Sequence, residues 1–149
     1  MRMPSSEDTY KNAAKEHLER AHDQFQRGNY FLVHYLSGLA VECHLRAWLR
    51  RKTKDFDSRH DLQLLAKESG FYNIVPYELT STFSANFEMI NIRWRSNHRY
   101  YSERQLLDYL NSTRAEFNVK GNRWKNLART LLNCASEIMN QGDAKWNKR

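Results

Sequence analysis

The scarcity of chain breakers limits this fold more than any other feature, since the 149 residues include only five glycines and two prolines. Sheet proteins need a turn after each short strand, so this composition favours a few long helices. The longest uninterrupted stretch runs from about Tyr30 to Arg51, with no proline and one glycine. One side of it is apolar at helical spacing, through Leu32, Tyr35, Leu36, Leu39, Cys43 and Ala47. The sequence therefore predicts a long central helix.

The segment before this stretch carries helix signals of its own. The Ser5-Ser6 pair is a suitable N-cap, and the acidic Glu7 and Asp8 suit the positive end of a helix. An apolar stripe follows at spacings of three and four, made of Ala14, Leu18, Ala21 and Phe25. Gly28-Asn29 ends this helix. Because the joining turn is short, the two helices are predicted to form an antiparallel hairpin.

Shorter helices are predicted in the second half of the chain. Asp61 can cap one that closes at Ser69-Gly70, and Ser102 with Gln105 has the spacing of a capping box that opens another. Helical periodicity also covers residues from about 80 to 92 and from 124 to 138, while residues 52–60 read as a loop and 118–122 as a break.

These elements together predict an all-α protein, an antiparallel bundle of about five helices. We expect one domain over residues 1–149, with short flexible ends near 1–5 and 141–149. No apolar stretch approaches the roughly 18 residues that cross a bilayer, and none near Met1 resembles a signal peptide. A cytoplasmic location is therefore expected, with Cys43 and Cys134 as buried free thiols.

The charge distribution is asymmetric. Residues 93–149 hold 12 basic and 5 acidic residues, whereas residues 1–92 hold 12 of each, so the whole excess of +7 lies in the last 57 positions. A basic region of this kind indicates an anionic partner, with nucleic acid the leading candidate. A solvated basic surface that aids solubility is the alternative.

Several kinds of catalytic site have no support in the sequence. No two of the six histidines have the spacing of H-E-x-x-H, and neither cysteine lies in C-x-x-C. There is no G-x-S-x-G elbow and no glycine-rich phosphate loop. We therefore expect neither a metal site nor a bound cofactor.

The segment Arg93-Trp94-Arg95-Ser96-Asn97-His98-Arg99-Tyr100-Tyr101 differs from the rest of the chain. An imidazole can exchange a proton near neutral pH, and an arginine can stabilise charge on phosphate oxygens, so these residue types suit phosphodiester cleavage. If residues 98–101 are extended, His98 and Tyr100 face the same way. The alternative is a helix end at which cations complement the helix dipole.

The spacing Arg93-x4-His98-x-Tyr100 resembles the R-x4-H-x-Y motif of HEPN-domain toxins. Two further segments are similar to the same family. Residues 35–47, with Ala40-Val41-Glu42, resemble the second HEPN helix, and His60-Asp61-Leu62 resembles the H-D-L that opens the short middle helix. The likeness extends over roughly residues 10–140.

This resemblance implies an all-α homodimer that places two copies of the motif in one basic cleft. Active members resemble metal-independent endoribonucleases, in which the 2′-hydroxyl attacks the neighbouring phosphate. On that pattern His98 is the acid-base group, Arg93 holds the phosphate, and Tyr100 matches the tyrosine that receives AMP from a nucleotidyltransferase-type antitoxin. Trp94 departs from the pattern, because active members usually carry a small polar residue after the arginine.

Other residues are predicted to support the site. Asn97, Arg95 and Arg99 are expected to contact RNA phosphates. Glu42 either pairs with Arg46 one turn later or holds an arginine of the motif in place. A second basic cluster could extend an RNA track or complement a helix C-terminus, and it comprises Arg46, Arg50, Arg51, Lys52 and Lys54.

Two functions therefore stay open from the sequence. The first is an RNA-cleaving toxin or antiviral defence effector of the HEPN type, held in check by a partner. The second is a non-catalytic HEPN module that binds nucleotide, RNA or a partner protein. The complete set of Arg93, His98 and Tyr100 favours the first, and Trp94 favours the second.

Overall fold

The computed structural model describes residues 6–53, 61–113 and 120–147, which contain helices and no strand. The all-α prediction is confirmed. Seven α-helices occur in the described residues, two more than the number expected from the sequence. They are α1 (Ser6–Gln26), α2 (Tyr30–Lys52), α3 (Leu62–Glu68), α4 (Phe71–Ile74), α5 (Thr80–Arg93), α6 (Glu103–Ser112) and α7 (Asn122–Trp146). Short 3₁₀ turns cover Tyr77–Leu79 and Ser96–Tyr100.

Helix α2 is the centre of the bundle, as its sequence predicts. It packs along α1 on one side and along α7 on another, and α5 packs on α7. Gly28, with a φ of 75° that favours glycine, makes the tight turn of the α1–α2 hairpin. Most of α2 is buried between Val33 and Leu49, including several polar side chains. No helix among the described residues combines the length and apolarity needed to cross a membrane.

Two predicted helix starts are confirmed at atomic detail. The carboxylate of Asp61 accepts the N–H of Leu64 at 3.1 Å and caps α3. At α6, the Ser102 hydroxyl accepts the Gln105 N–H at 3.1 Å, and the Gln105 side chain accepts the Ser102 N–H at 2.7 Å. Each cap satisfies backbone donors that a helix start leaves open. Of the loop predicted at 52–60, Lys52 still belongs to α2, and residues 54–60 lie outside the described residues, as do residues 118–119 of the predicted break.

The predicted flexible end at 141–149 is wrong for residues 141–146, which continue α7. The Trp146 ring meets Trp48 of α2 edge-on, with ring centroids 5.0 Å apart. The Arg51 guanidinium lies 3.5 Å from the Trp146 ring centroid, a cation–π contact. These contacts across the bundle hold the last turn of a segment whose local composition is polar and basic.

Trp94 fastens the end of α5 to the central helix. Its side chain is buried, and its Nε1 donates a hydrogen bond to the Tyr35 carbonyl at 3.0 Å. The ring lies directly on Gly38, where an added Cβ would stand 2.2 Å from two ring atoms. Residue 38 is therefore required to be glycine, because the Trp94 ring leaves no room for a side chain there. Trp94 is therefore a core residue, and the tryptophan that departs from the HEPN pattern serves the packing of α5 on α2.

The fit of Trp94 on Gly38 yields a stability prediction. Gly38→Ala is expected to lower the free energy of unfolding by about 1–3 kcal/mol, because the new methyl group overlaps the indole ring. Combining it with Trp94→Phe should lose less than the sum of the two single losses, since the smaller ring makes room. Urea unfolding of the four proteins measures this, and additive losses would contradict the contact.

Candidate active site

The predicted motif lies at the bend between α5 and α6. Arg93 is the last residue of α5, Trp94 and Arg95 have extended backbone, and Ser96–Tyr100 forms the 3₁₀ turn. The condition considered from the sequence, an extended segment at 98–101 that would turn His98 and Tyr100 the same way, is therefore not met for residues 98–100. A 3₁₀ helix has three residues per turn, so residues two apart point in different directions. Accordingly, His98 is fully buried and Tyr100 is 74% exposed.

His98 is held in one tautomer by the backbone. Its Nδ1 accepts a hydrogen bond from the Arg95 N–H at 3.2 Å, so the neutral ring carries its proton on Nε2. Nε2 is buried and has no hydrogen-bond partner among the described residues. Burial, reinforced by the positive charge of Arg95, lowers the His98 pKa to about 4. The ring is therefore a neutral hydrogen-bond donor near pH 7.

Two tyrosine rings close the space around His98. Tyr101 lies with its ring centroid 4.9 Å from that of His98, and Tyr109 packs edge-on at 4.7 Å. The Tyr109 hydroxyl donates to the Ile92 carbonyl at 3.3 Å, which links α6 to the last turn of α5. Nε2 of His98 is therefore closed off from solvent in this arrangement.

His34 of α2 is a site residue that the sequence analysis missed. Its Nε2 lies 3.4 Å from His98 Nδ1, and the ring is fully buried. Burial, with smaller contributions from the His98 ring and the Arg93 charge, lowers the His34 pKa to about 3, although a hydrogen bond to the Arg93 backbone opposes the shift. His34 thus lies between the two motif residues. No spacing rule reveals this pairing, because 64 residues separate the two histidines.

Arg93 is buried between helices, with 7% of its surface exposed. One guanidinium nitrogen donates to the Met89 carbonyl at 2.9 Å, within its own helix. Its charge lies close enough to favour the thiolate of Cys134 on α7, although burial still raises the Cys134 pKa. The structure therefore brings Arg93, His34 and His98 together below the surface.

The remaining motif residues form an exposed rim, which consists of Arg95, Asn97, Arg99 and Tyr100. The Arg95 guanidinium donates to the carbonyls of Asn91 and Trp94, the latter at 2.9 Å. The Arg99 guanidinium lies 4.7 Å from the Tyr100 ring centroid. It also bonds the side chain of Tyr35, whose pKa is nevertheless raised by burial. The rim offers cations and an aromatic face to an anionic partner.

Glu42 and Arg46 lie one turn apart on α2, and the charges of Glu42 and of Arg99 in the rim both act on the Tyr35 phenol. Glu42 is 5% exposed, and its carboxylate stands 3.9 Å from Arg46 Nε. Arg46 is itself buried, so the structure does not bring it to a surface that RNA could reach. Arg50 bonds the Ser6 hydroxyl at 3.2 Å, and Arg51 packs on Trp146. Within the described residues, this second basic cluster therefore includes side chains engaged in the fold.

Cys43 and Cys134 are buried and free, as predicted. Burial, with the neighbouring Glu42 carboxylate, raises the Cys43 pKa to about 12, so this thiol stays protonated and unreactive near neutral pH. Within residues 6–53, 61–113 and 120–147, no three metal-binding side chains are grouped around a common point.

The described residues form a helical bundle in which the Arg-x4-His-x-Tyr segment packs against the central helix α2. Buried imidazoles and a cationic rim therefore lie together at the junction between α5 and α6. The family model of the HEPN domain matches residues 8–144, and the chain belongs to that family. The resemblance predicted over residues 10–140 is thereby confirmed. HEPN domains are nuclease- or RNA-related or nucleotide-binding modules, and they commonly dimerise. No curated protein and no solved structure matched the chain.

The buried imidazoles predict a dependence of stability on pH. Between their lowered pKa values of about 3 to 4 and the ordinary value of about 6.5, the unfolded chain binds protons that the folded chain excludes. The free energy of unfolding should therefore fall as the pH drops from 6.5 toward 4, by up to about 1.4 kcal/mol per pH unit for each such imidazole.

Urea unfolding at several pH values measures this slope. His34→Gln and His98→Gln should each flatten it, because each removes one excluded proton. His22→Gln on the exposed face of α1 is the matched control and should keep the wild-type slope. A wild-type slope in both buried-site variants would show that these imidazoles titrate normally.

Proposed function

We propose that this protein is a metal-independent endoribonuclease that acts as a toxin or defence effector. The observation that carries the proposal is His98 Nε2, a buried donor with no partner among the described residues, next to a cationic rim. Unsatisfied buried donors are rare in folded proteins and call for an explanation. A phosphate or leaving-group oxygen of RNA would be the acceptor that this N–H lacks.

The chemistry follows from which atoms are available. In the proposed reaction the 2′-oxygen of RNA loses its proton as it bonds to phosphorus, and the bond from phosphorus to the 5′-oxygen breaks. The 5′-oxygen takes the proton of His98 Nε2, and the proton released by the 2′-hydroxyl replaces it, so the neutral ring is restored. His98 Nδ1 is engaged by the Arg95 N–H, so Nε2 is the atom that exchanges protons. Arg93 and the rim arginines would stabilise the negative charge on the phosphate oxygens.

We further propose that the working unit is a homodimer with the motifs at its interface. In one chain the exposed rim covers little surface, and His98 lies beneath the rings of Tyr101 and Tyr109. Two rims facing each other would form a cleft with cations on both walls, which suits a phosphate backbone. Light scattering that reports a monomer at high micromolar concentration would contradict this arrangement.

A second candidate function is a non-catalytic module that binds RNA, nucleotide or a partner protein. The specific observation that favours it is burial: His98 is 0% exposed and Arg93 is 7% exposed. In this alternative only the rim touches the partner, and the two histidines serve the fold. Trp94 does not decide between the candidates, because its ring points into the core.

The catalytic proposal predicts the effect of removing each motif residue. His98→Gln and Arg93→Lys should lower RNA cleavage or growth inhibition at least about 100-fold, since each removes a group needed in the transition state. Both replacements are polar and close in size, so helicity should be retained. EDTA should leave wild-type cleavage unchanged. Gel assays on total RNA, with circular dichroism of each variant, measure these effects.

Matched surface variants separate the site from general damage. His22→Gln and Arg104→Lys alter exposed side chains outside the motif and should cleave as the wild type does. Loss of cleavage in EDTA would refute the metal-independent mechanism. A folded wild-type dimer that cleaves no class of RNA would establish the binding module instead.

Tyr100 is the residue that we propose is modified by a nucleotidyltransferase partner, which would transfer AMP from ATP to the phenol oxygen and release pyrophosphate. Its exposed ring lies beside Arg99, so an added AMP would occupy the cations that hold RNA. Co-expression should add AMP to wild-type protein and inhibit it, while Tyr100→Phe should be neither modified nor inhibited. Intact mass and peptide mapping test this, with Tyr101→Phe as control. Modification and inhibition of the Tyr100→Phe protein would refute the assignment.

A further inference from the structure

A groove runs between α3 and α5 and begins at the motif. Its first cavity, of about 260 Å³, is lined by Asp61, Gln63, Asn91, Trp94 and Arg95 among others. A second cavity of about 290 Å³ shares Gln63 and Asn91 with the first and extends to Tyr72. A third, of about 390 Å³, shares Gln63 and Tyr72 with the second. The shared residues place these cavities side by side, and the three together are called here the α3–α5 groove.

The groove adjoins the proposed reaction centre through Arg95. The N–H of this residue holds His98 Nδ1, and the residue also lines the groove's first cavity. Its guanidinium is fixed by the carbonyls of Asn91 and Trp94, two residues that line the same cavity. A planar cation held in one orientation can stack on a base or bond a phosphate with little loss of entropy.

The middle of the groove suits the edges of bases. Gln63 and Asn91 each offer one amide that both donates and accepts hydrogen bonds, and they lie where the first two cavities meet. The Asp61 carboxylate lines the first and third cavities, where it already accepts the Leu64 N–H, and the Glu88 carboxylate lines the second. Between Arg95 and Lys67 the groove therefore favours the neutral, hydrogen-bonding edge of a base over a phosphate.

The far end of the groove supplies an aromatic platform. Tyr72 is 40% exposed, and its ring is braced edge-on by buried Phe83 with centroids 5.0 Å apart. Lys67 lies beside it in the third cavity. An exposed ring with a neighbouring cation is the combination by which proteins bind a base and its phosphate in single-stranded nucleic acid.

We propose that the α3–α5 groove binds single-stranded RNA that flanks the cleaved phosphodiester. One base lies in the cavity at Arg95 and hydrogen-bonds Gln63 and Asn91, and a following base stacks on Tyr72. The phosphates lie toward Arg95 and Lys67 at the two ends. A base paired in a duplex has its hydrogen-bonding edge occupied and its faces stacked, so duplex RNA does not enter. The inference rests on the proposed action on RNA, but it does not require cleavage.

Binding of 2′-O-methyl RNA tests the groove separately from the reaction, because that RNA lacks the attacking hydroxyl. Fluorescence anisotropy with a labelled strand about 12 nucleotides long should show wild-type binding that weakens on the order of tenfold in Tyr72→Leu and in Asn91→Ala. Tyr72→Phe keeps the ring and should bind like the wild type. The matching duplex should bind more weakly than the single strand, with an affinity that these substitutions do not change.

Tyr77→Leu and Asn140→Ala are the matched controls, since both residues are exposed and neither lines this groove. They should bind the strand as the wild type does. Equal weakening in the controls, unchanged binding in Tyr72→Leu and Asn91→Ala, or no binding by wild-type protein would overturn the inference. If the wild type cleaves RNA but Tyr72→Leu and Asn91→Ala bind the strand as tightly as it does, the groove assignment fails and the ribonuclease proposal stands. If these variants bind more weakly and the wild type cleaves no RNA, the ribonuclease proposal fails and the groove assignment stands.

Discussion

The contact between Trp94 and Gly38 is the constraint on which the candidate site depends. An indole can lie against the backbone of α2 only because residue 38 has no side chain. This contact fixes where α5 ends, and the position of that end determines where Arg93 lies and where the 3₁₀ turn begins. The hydrogen bond from the indole to the Tyr35 carbonyl sets the rotation of the ring. The buried histidine pair follows, because it forms between the turn and the same face of α2.

Burial of the histidine pair removes the ring nitrogens from water, so each nitrogen needs a partner within the protein. A neutral imidazole in the core is fully satisfied when its N–H finds an acceptor and its other nitrogen finds a donor. His98 meets half of that condition through the Arg95 N–H and leaves Nε2 without a partner in the described structure. Such an arrangement costs stability in the free protein. This free energy is regained when a bound ligand supplies the missing acceptor for Nε2.

Local signals predicted the fold well, whereas contacts distant in sequence escaped them. The caps at Asp61 and Ser102 were readable because their partners lie three residues away. The end of α7 could not be predicted from local signals, since Trp146 is held by Trp48 and Arg51 of another helix. Trp94 could be recognised as a departure from the HEPN pattern, but its seat on Gly38 depends on how two helices meet.

The tryptophans of α7 have a consequence for motion. Trp124 lies near one end of α7 with its ring centroid 6.0 Å from that of His34, and Trp146 at the other end meets Trp48. Contacts at both ends of α7 therefore oppose its sliding along α2. α6 contributes only Leu106 and Leu110 to the buried core. The ring that covers His98, Tyr109, is thus carried by a helix with fewer buried side chains than the α2–α7 pair against which the histidines lie.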